Sequence, residues 1–592
     1  MNKRKEKKSK PMFYVFLRMY KEMFATIPIE GSLYCFCDIL HALSTVLVTV
    51  FMQKFFDSAA DVAEGGKIET ALVPLLIFFV STLAMEIFNG LANFHYEYLS
   101  PKVISHLYEN LHKKAASVNP IEYEKTEFLD MLNKARQGIE SGFTAALFAL
   151  SVVTFYLPYY LFLGIYLRTL SPLLVFILLL IFVPVILGKL FRFRAYVRLE
   201  DEVAPTRRAM EYYEKAICDR EYFKDTRLLG AFPYFMRKYH ETIELVNDKT
   251  TRTELKNAKV EFCLRVFTVA GYLGILGILV YELLHGKISA GAFAAVFAGI
   301  GTMYNLAEEV FGGVMQYISR YGAAILNYQK FVDREEPQYE RQENVLPADE
   351  KGISFHDVHF RYPGAGQEVI RGISLHIEEG KTVALVGENG AGKSTFAKLV
   401  VGLYEPTSGK VIIHGRDASK SDRKGVYRLC SAVFQKFQRY QMTLEKNILI
   451  SDIEEEKDSE RFQEVCESTR ADIVKADEML SKEFGGTDIS GGEWQRVATA
   501  RGLYRRNEII VLDEPTSAID PIEETKIYRQ FMEIAKDKTA ILVTHRIGAA
   551  QIADEIIVLK DGKIDDVGTH QQLLEHGGLY AKLYREQAKW YR

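Results

Sequence analysis

The chain has 592 residues, 48% hydrophobic and 12% aromatic, with 74 basic against 77 acidic residues for a formal charge of -3. That length exceeds one compact core and implies at least two domains. The aromatic content with only 16 prolines excludes a disordered chain, and the near-neutral balance excludes a globally basic binder of nucleic acid.

The six cysteines show no paired spacing, so they read as small buried residues, with neither a disulfide framework nor a zinc site. Residues 1–333 are expected to form an all-α transmembrane domain. Met1 to Lys10 carries six basic residues without a following short apolar region and cleavage site, which reads as a retained cytosolic tail. Phe13 to Phe24 mixes apolar residues with Arg18, Lys21 and Glu22, as in an amphipathic helix at a membrane surface.

Six apolar stretches follow: Gly31 to Gln53, Thr70 to His95, Ser141 to Leu167, Leu170 to Gly188, Val266 to Tyr281 and Ile288 to Ala307. The third runs 27 residues without a charge, and about 20 helical residues cross the hydrocarbon layer. Very short connectors make the third and fourth, and the fifth and sixth, antiparallel hairpins. Lys and Arg number 31 on the side of the tail and the two long connections, and 4 on the other. By the positive-inside rule the first side is cytosolic, so the chain is expected to be a multi-pass cell-membrane protein of a bacterial plasma membrane, with its N-terminus and second half in the cytoplasm. The long connections have charged and apolar residues at helical spacing and read as cytosolic extensions of the membrane helices.

Charged residues in or beside spans, Asp38, Glu86, Glu308 and Glu309, are costly unless they face a cavity, a partner or the interface. Tyr156, Tyr159, Tyr160 and Tyr304 fit either the walls of a cargo cavity or packing between helices and at the headgroup belt.

Residues 334–351 are polar and Glu-rich, a linker. From 352 to 592, apolar runs such as Thr382 to Val386, Val411 to His414, Ile509 to Leu512, Ala540 to Val543 and Ile556 to Leu559 alternate with helical segments, which predicts an α/β P-loop domain with a largely parallel sheet. The first of these runs leads into Gly387, Glu388, Asn389, Gly390, Ala391, Gly392, Lys393, Ser394 and Thr395, a complete phosphate-binding loop. Its backbone N–H groups and the following helix start favour phosphate. Lys393 is placed for terminal phosphates and Ser394 for Mg²⁺. Ile509 to Leu512 ends in Asp513 and Glu514, at the edge where such sheets bind ligands. Asp513 fits a metal-organising role and Glu514 the polarising of water. His545 and Gln435 follow apolar runs at the same edge and fit a γ-phosphate donor and a sensor of Mg²⁺ or water. Read singly, each also fits an ordinary polar residue.

These residues resemble the nucleotide-binding domain of ABC transporters. Ile489, Ser490, Gly491, Gly492, Glu493, Trp494, Gln495 and Arg496 resemble the family's signature, with Glu493 where Gln is usual. Tyr362 resembles the adenine-stacking aromatic, and Ser517 to Asp520 the loop that communicates between paired cassettes. Ser490 followed by Glu493 also fits a helix capping box. With the six spans, the chain is similar to a half-transporter of the exporter type. The resemblance implies ATP and Mg²⁺ as ligands and a second half-transporter, identical or homologous, whose Ser490 faces Lys393 of this chain across the nucleotide. It also implies coupling regions at Pro120 to Leu132 and Phe223 to Tyr234, and a peptide-like, drug-like or otherwise amphipathic cargo in the bilayer. The alternative cargo is a lipid or lipid-linked precursor. A non-hydrolysing cassette would be expected to lack Glu514 or His545, and with no cysteine-protease region before the first span, leader cleavage is not expected.

Overall fold

Long apolar segments can leave water only if each satisfies its own backbone hydrogen bonds, and a helix does so locally. In the computed structural model, residues 12–219, 221–335, 351–514 and 538–589 are described. The chain divides into two compact units, one of Met1–Ser117 with Asp130–Arg334 and the other of Val118–Leu129 with Glu335–Arg592.

The first unit is helical. α1 (Met12–Thr26), α2 (Pro28–Ala63) and α3 (Glu69–Ser117) are followed by α4 (Thr126–Ser151), which passes through a π-turn at Val152–Tyr156 into α5 (Leu157–Leu170). Ser171 alone separates α5 from α6 (Pro172–Cys218), whose opening proline suits a first helical position. After α7 (Phe223–Leu228) come α8 (Phe232–Leu284), α9 (Ala290–Glu308), a second π-turn at Glu309–Val314, and α10 (Met315–Val332). At about 1.5 Å per residue a helix as long as α3 or α8 far exceeds a hydrocarbon layer about 30 Å thick, so both continue beyond it.

Five helices among the described residues are long and apolar enough to cross a membrane: α2, α3, α4 with α5, α8 and α9. The expected span Leu170 to Gly188 falls at the start of α6, where the side chains of residues 177–182 lie outside the description. The tail Met1 to Lys10 and nearly all of the linker 334–351 also lie outside the described residues.

Packing in this unit follows single helix faces. Leu99, Val103, Leu107 and Leu111, four residues apart on α3, are fully buried. On α1, Val15, Met19 and Met23 are buried whereas Phe13, Tyr14 and Leu17 are exposed, and Arg18 pairs with Asp333 at 2.5 Å. Gly138 and Gly142 form a small-residue seam on α4: a Cβ on Gly138 would lie 2.3 Å from the Ala324 carbonyl of α10, and one on Gly142 2.7 Å from Ile325 Cγ1. Several polar groups within the bundle pair with one another. Thr154 Oγ1 donates to Asp38 Oδ2 at 2.7 Å, Tyr160 donates to the Met303 carbonyl at 3.0 Å, and Arg265 meets Glu308 at 3.1 Å. Tyr156 and Tyr159 are buried among α2, α5, α8 and α9 residues, the packing arrangement left open by the sequence. The cysteines need a correction: Cys37, Cys430 and Cys466 are buried, but Cys218 and Cys263 are exposed. Long helices packed on one side leave the other side uncovered, so residue type alone does not bury them.

The second unit carries two sheets. β1 (Ile353–Phe360), β2 (Ile370–Ile377), β4 (Ser408–Ile413) and β5 (Arg416–Asp417) form an antiparallel sheet in the order β2-β1-β4-β5. The run expected at Val411 to His414 lies here and not in the parallel sheet. The larger sheet holds β3 (Thr382–Gly387), β6 (Cys430–Val433), β7 (Ile509–Asp513), β8 (Thr539–Val543), β9 (Glu555–Lys560) and β10 (Lys563–Gly568), ordered β10-β9-β3-β8-β7-β6 and parallel except at β10. β3, β7 and β8 are buried throughout, because helices cover both faces of such a sheet.

The seam on α4 predicts that Gly138→Val destabilises the protein by about 1–3 kcal/mol, the usual range for overpacking. Gly301→Ala, where an added Cβ meets nothing within 4 Å, does not lower the melting temperature of the purified protein in the same thermal assay, helix propensity favouring a small rise.

Candidate nucleotide site

Parallel pairing in register delivers several loops to one sheet edge. Leu385 of β3 lies opposite Val543 of β8, Val543 opposite Asp513 of β7, and Leu512 of β7 opposite Val433 of β6. The residues beyond these strands, after Gly387, Val433, Asp513 and Val543, therefore emerge side by side.

The phosphate loop turns from β3 into α11 (Lys393–Val400) through Gly392, whose φ of +100° is a conformation that favours glycine. Lys393 is buried and its Nζ donates to the carbonyls of Gly387 at 2.9 Å and Glu388 at 3.0 Å. Burial lowers the lysine pKa, so an anion beside it would restore what desolvation removes. Ser394 Oγ donates to Asp513 Oδ1 at 3.3 Å. Asp513 is buried, and this desolvation raises its carboxyl pKa; a nearby cation would reverse the effect.

Glu514 has a φ of +50°, unusual for a residue with a side chain. Its carboxylate is bracketed: Gln435 Nε2 donates to Oε2 at 2.8 Å, and His545 Nδ1 stands 3.1 Å from Oε1. Asn389, Gly390, Gly392, Lys393, Ser394, Thr395, Gln435, Glu514 and His545 line one cleft of about 680 Å³. Val369, just before β2, lines it too; nothing in the sequence pattern singled it out, since it reads as another strand residue.

Other expected site residues lie off this lining. Gly387 ends β3, and Asp513 sits beneath the cleft as the last residue of β7. Tyr362 hydroxyl is 3.1 Å from Thr395 Oγ1, and its ring stands edge-on to Phe360 and Tyr404. Ser490 caps the helix Gly491–Tyr504, and Gly491 and Gly492 begin that helix. Asp520 and its neighbours Ser517 to Ile519 lie outside the described residues. The capping box is formed: Glu493 N–H donates to Ser490 Oγ at 3.3 Å, and Ser490 N–H to Glu493 Oε2 at 2.6 Å. The backbone hydrogen bond holds the Glu493 carboxyl below its usual pKa, with a further contribution from Arg496.

The segment Val118–Leu129, between α3 and α4, belongs to this second unit. Asn119 Nδ2 donates to Glu405 at 3.0 Å, the Tyr404 hydroxyl donates to Glu124, and Lys398 of α11 is 3.9 Å from Glu124. Tyr404 also stacks on Phe360, so this segment touches the aromatic group that includes Tyr362. α7, in the other expected coupling region, belongs to the first unit, with its last residue, Leu228, and the following Leu229 exposed.

A bundle of long apolar helices joined to a P-loop cassette defines the class, a membrane protein with an ATP-binding domain. The ABC transporter family profile matches residues 370–517. The chain is 30% identical over 370 residues to the subtilin transport ATP-binding protein SpaT of Bacillus subtilis, covering 61% of this chain and 60% of SpaT. It is 24% identical to the nisin transport ATP-binding protein NisT of Lactococcus lactis subsp. lactis over 99% of this chain and 98% of NisT. To the ATP-dependent lipid A-core flippase of Escherichia coli K12 it is 33% identical, over 51% of this chain and 52% of the flippase. The matches thus span less than two thirds of SpaT and of the flippase, and nearly all of NisT. The fold is similar to that of a bacterial Atm1-family ABC exporter with ATP bound, at a TM-score of 0.75 and 21% identity, over 93% of this chain and 97% of the other. Residues 370–517 thus carry an ABC transporter domain, and over nearly its whole length the chain is similar in sequence to NisT and in fold to the Atm1-family exporter.

Because Glu493 is committed to the helix start, Glu493→Gln is expected to keep ATPase activity within about twofold, the amide oxygen still accepting from Ser490. Glu493→Ala removes that acceptor and lowers thermal stability by about 0.5–1 kcal/mol, the usual cost of a lost cap. Activity and melting curves on the two purified variants separate these effects.

Proposed function

We propose that this chain is one half of an ATP-driven exporter that hydrolyses ATP at paired cassettes to move an amphipathic, peptide-like or drug-like cargo across the membrane. The observation that carries this reading is the convergence of Lys393, Ser394, Gln435, Glu514 and His545 on one cleft, with Glu514 held between Gln435 and His545.

The loop N–H groups and Lys393 bind the β and γ phosphates, Lys393 exchanging the Gly387 and Glu388 carbonyls for phosphate oxygens. Glu514, aimed by its two neighbours, orients a water and takes its proton as the water oxygen bonds to the γ-phosphorus. The bond from that phosphorus to the ADP oxygen breaks, releasing ADP and phosphate. His545 donates to a γ-phosphate oxygen and holds it in line. Ser394 Oγ and Asp513 Oδ1, hard oxygen donors side by side, fit Mg²⁺, and Gln435, which lines the same cleft, would add its amide oxygen. Bound there, Mg²⁺ neutralises charge on the phosphates. Tyr362 supplies an aromatic face for adenine, and Asp520 communication to the opposite cassette.

The signature residues do not line this cleft, which supports completion of the site by Ser490, Gly491 and Gly492 from a second cassette, of an identical or homologous chain. The segment around Glu124 then carries cassette closure into α3 and α4. Relatives described as subtilin and nisin transport proteins support a peptide-like cargo; a lipid or lipid-linked precursor is the alternative. The reading places the chain as a multi-pass protein of a bacterial plasma membrane, cassette in the cytoplasm.

Glu514→Gln is expected to lower ATP turnover about 100-fold or more while retaining ATP binding, measured by steady-state hydrolysis and nucleotide binding on the reconstituted protein. Wild-type turnover in that variant would overturn the role of Glu514. Panels of peptides, drugs and lipids in the same proteoliposomes should raise turnover only with the true cargo class, and stimulation by lipids alone would favour the alternative. Glu124→Gln should leave basal hydrolysis within about twofold and reduce the cargo-stimulated increment several-fold, because it weakens the contact with Tyr404 and Lys398 without touching the nucleotide.

A further inference from the structure

The peptide that carries His545 is gripped from outside the cleft. Gln587, on the helix Leu579–Ala588, accepts the backbone N–H of Ile547 at its Oε1 (2.9 Å) and donates from Nε2 to the carbonyl of His545 (2.5 Å). One amide therefore fixes the two backbone groups that flank Arg546. On the same loop, Thr544 Oγ1 accepts the Arg546 N–H at 3.0 Å.

This grip matters because the His545 ring is not fixed by burial: its side chain is 45% exposed. Residues 544–546 are all that separate β8 from the helix Ile547–Ala550. The direction of the imidazole is then set by the backbone beneath it. The holding helix is itself well anchored. Its Tyr580 and Ala581 are buried, and Tyr580 packs in one cluster with Ala384 and Val386 of the phosphate-loop strand and with Ile547. The strand before the phosphate loop, the His545 loop and the helix of Gln587 thus share one small core.

We infer that Gln587 is a positioning residue for ATP hydrolysis, its amide holding residues 545–547 so that the imidazole of His545 faces Glu514 and the γ-phosphate position. This rests on the role proposed above for His545 and adds a residue 42 positions away that does not line the cleft. Both bonds need an amide: an acid at 587 keeps the acceptor for Ile547 but sets an oxygen against the His545 carbonyl, and a shorter Asn cannot reach both groups from the same helix position.

The test uses the full-length protein in proteoliposomes, with kcat and KM for ATP measured for Gln587→Ala, Gln587→Glu and His545→Ala, and for Gln587→Ala combined with His545→Ala. The single Gln587→Ala change is expected to lower kcat about tenfold, as loss of alignment does, with KM within about twofold, and to cause no further loss once His545 is alanine. Gln587→Glu should lower kcat to a similar degree, and it serves as the second variant should the alanine protein not accumulate. Wild-type kcat in both Gln587 variants, or an undiminished further loss in the His545→Ala background, would overturn the inference and leave the role of His545 standing. Wild-type kcat in His545→Ala would remove the reading on which it rests.

Discussion

The in-register parallel pairing of β6, β7, β8 and β3 is the constraint on which the site depends. Four chain segments that are far apart in sequence are brought out at one sheet edge because each pair of strands ends at matched residues. A slip of one residue in any pair would turn the alternate side chains to the opposite face. It would also carry Glu514 away from Gln435 or His545. The aliphatic residues of β3, β7 and β8, buried on both faces, hold that register by packing, since a slip would exchange the side chains set against the two covering layers.

The groups at this edge are individually uncomfortable. Lys393 is desolvated and bound to carbonyls of its own loop, Asp513 is desolvated beside a hydroxyl, and Glu514 sits in a left-handed backbone conformation. Each arrangement costs free energy, and for the two desolvated charges a triphosphate with its cation would offset it. On the proposed reading, bound phosphates would give Lys393 its counter-charge, and a cation would do the same for Asp513. Gln587 extends this logic outward, since a half-exposed histidine can be aimed only if the peptide beneath it is held.

In the membrane-helix unit the same economy of polar groups appears in another form. Asp38 is tied to Thr154 at the first π-turn, and Glu308, just before the second, is tied to Arg265. Each carboxylate thus has a partner, as a low-dielectric setting requires. Small residues do the complementary work, Gly138 and Gly142 letting α4 approach α10 closely. Val118–Leu129, which follows α3 and leads into α4, belongs to the cassette unit, where Asn119 meets Glu405 and Glu124 meets Lys398.

What the sequence alone determined were features written within one segment: apolar runs long enough for membrane helices, the strand, loop and helix of Gly387 to Thr395, and the acids closing Ile509 to Leu512. Ser490 with Glu493 was legible as a helix cap for the same reason, since three residues set the geometry. Only the tertiary structure decided the antiparallel sheet that takes up Val411 to His414, the presence of Val369 in the cleft, the exposure of Cys218 and Cys263, and the hold of Gln587 on the His545 loop. Periodicity and composition report the surroundings a single element prefers. Which elements meet, and through which side chains, follows from register and packing among segments distant along the chain, and no local pattern records it.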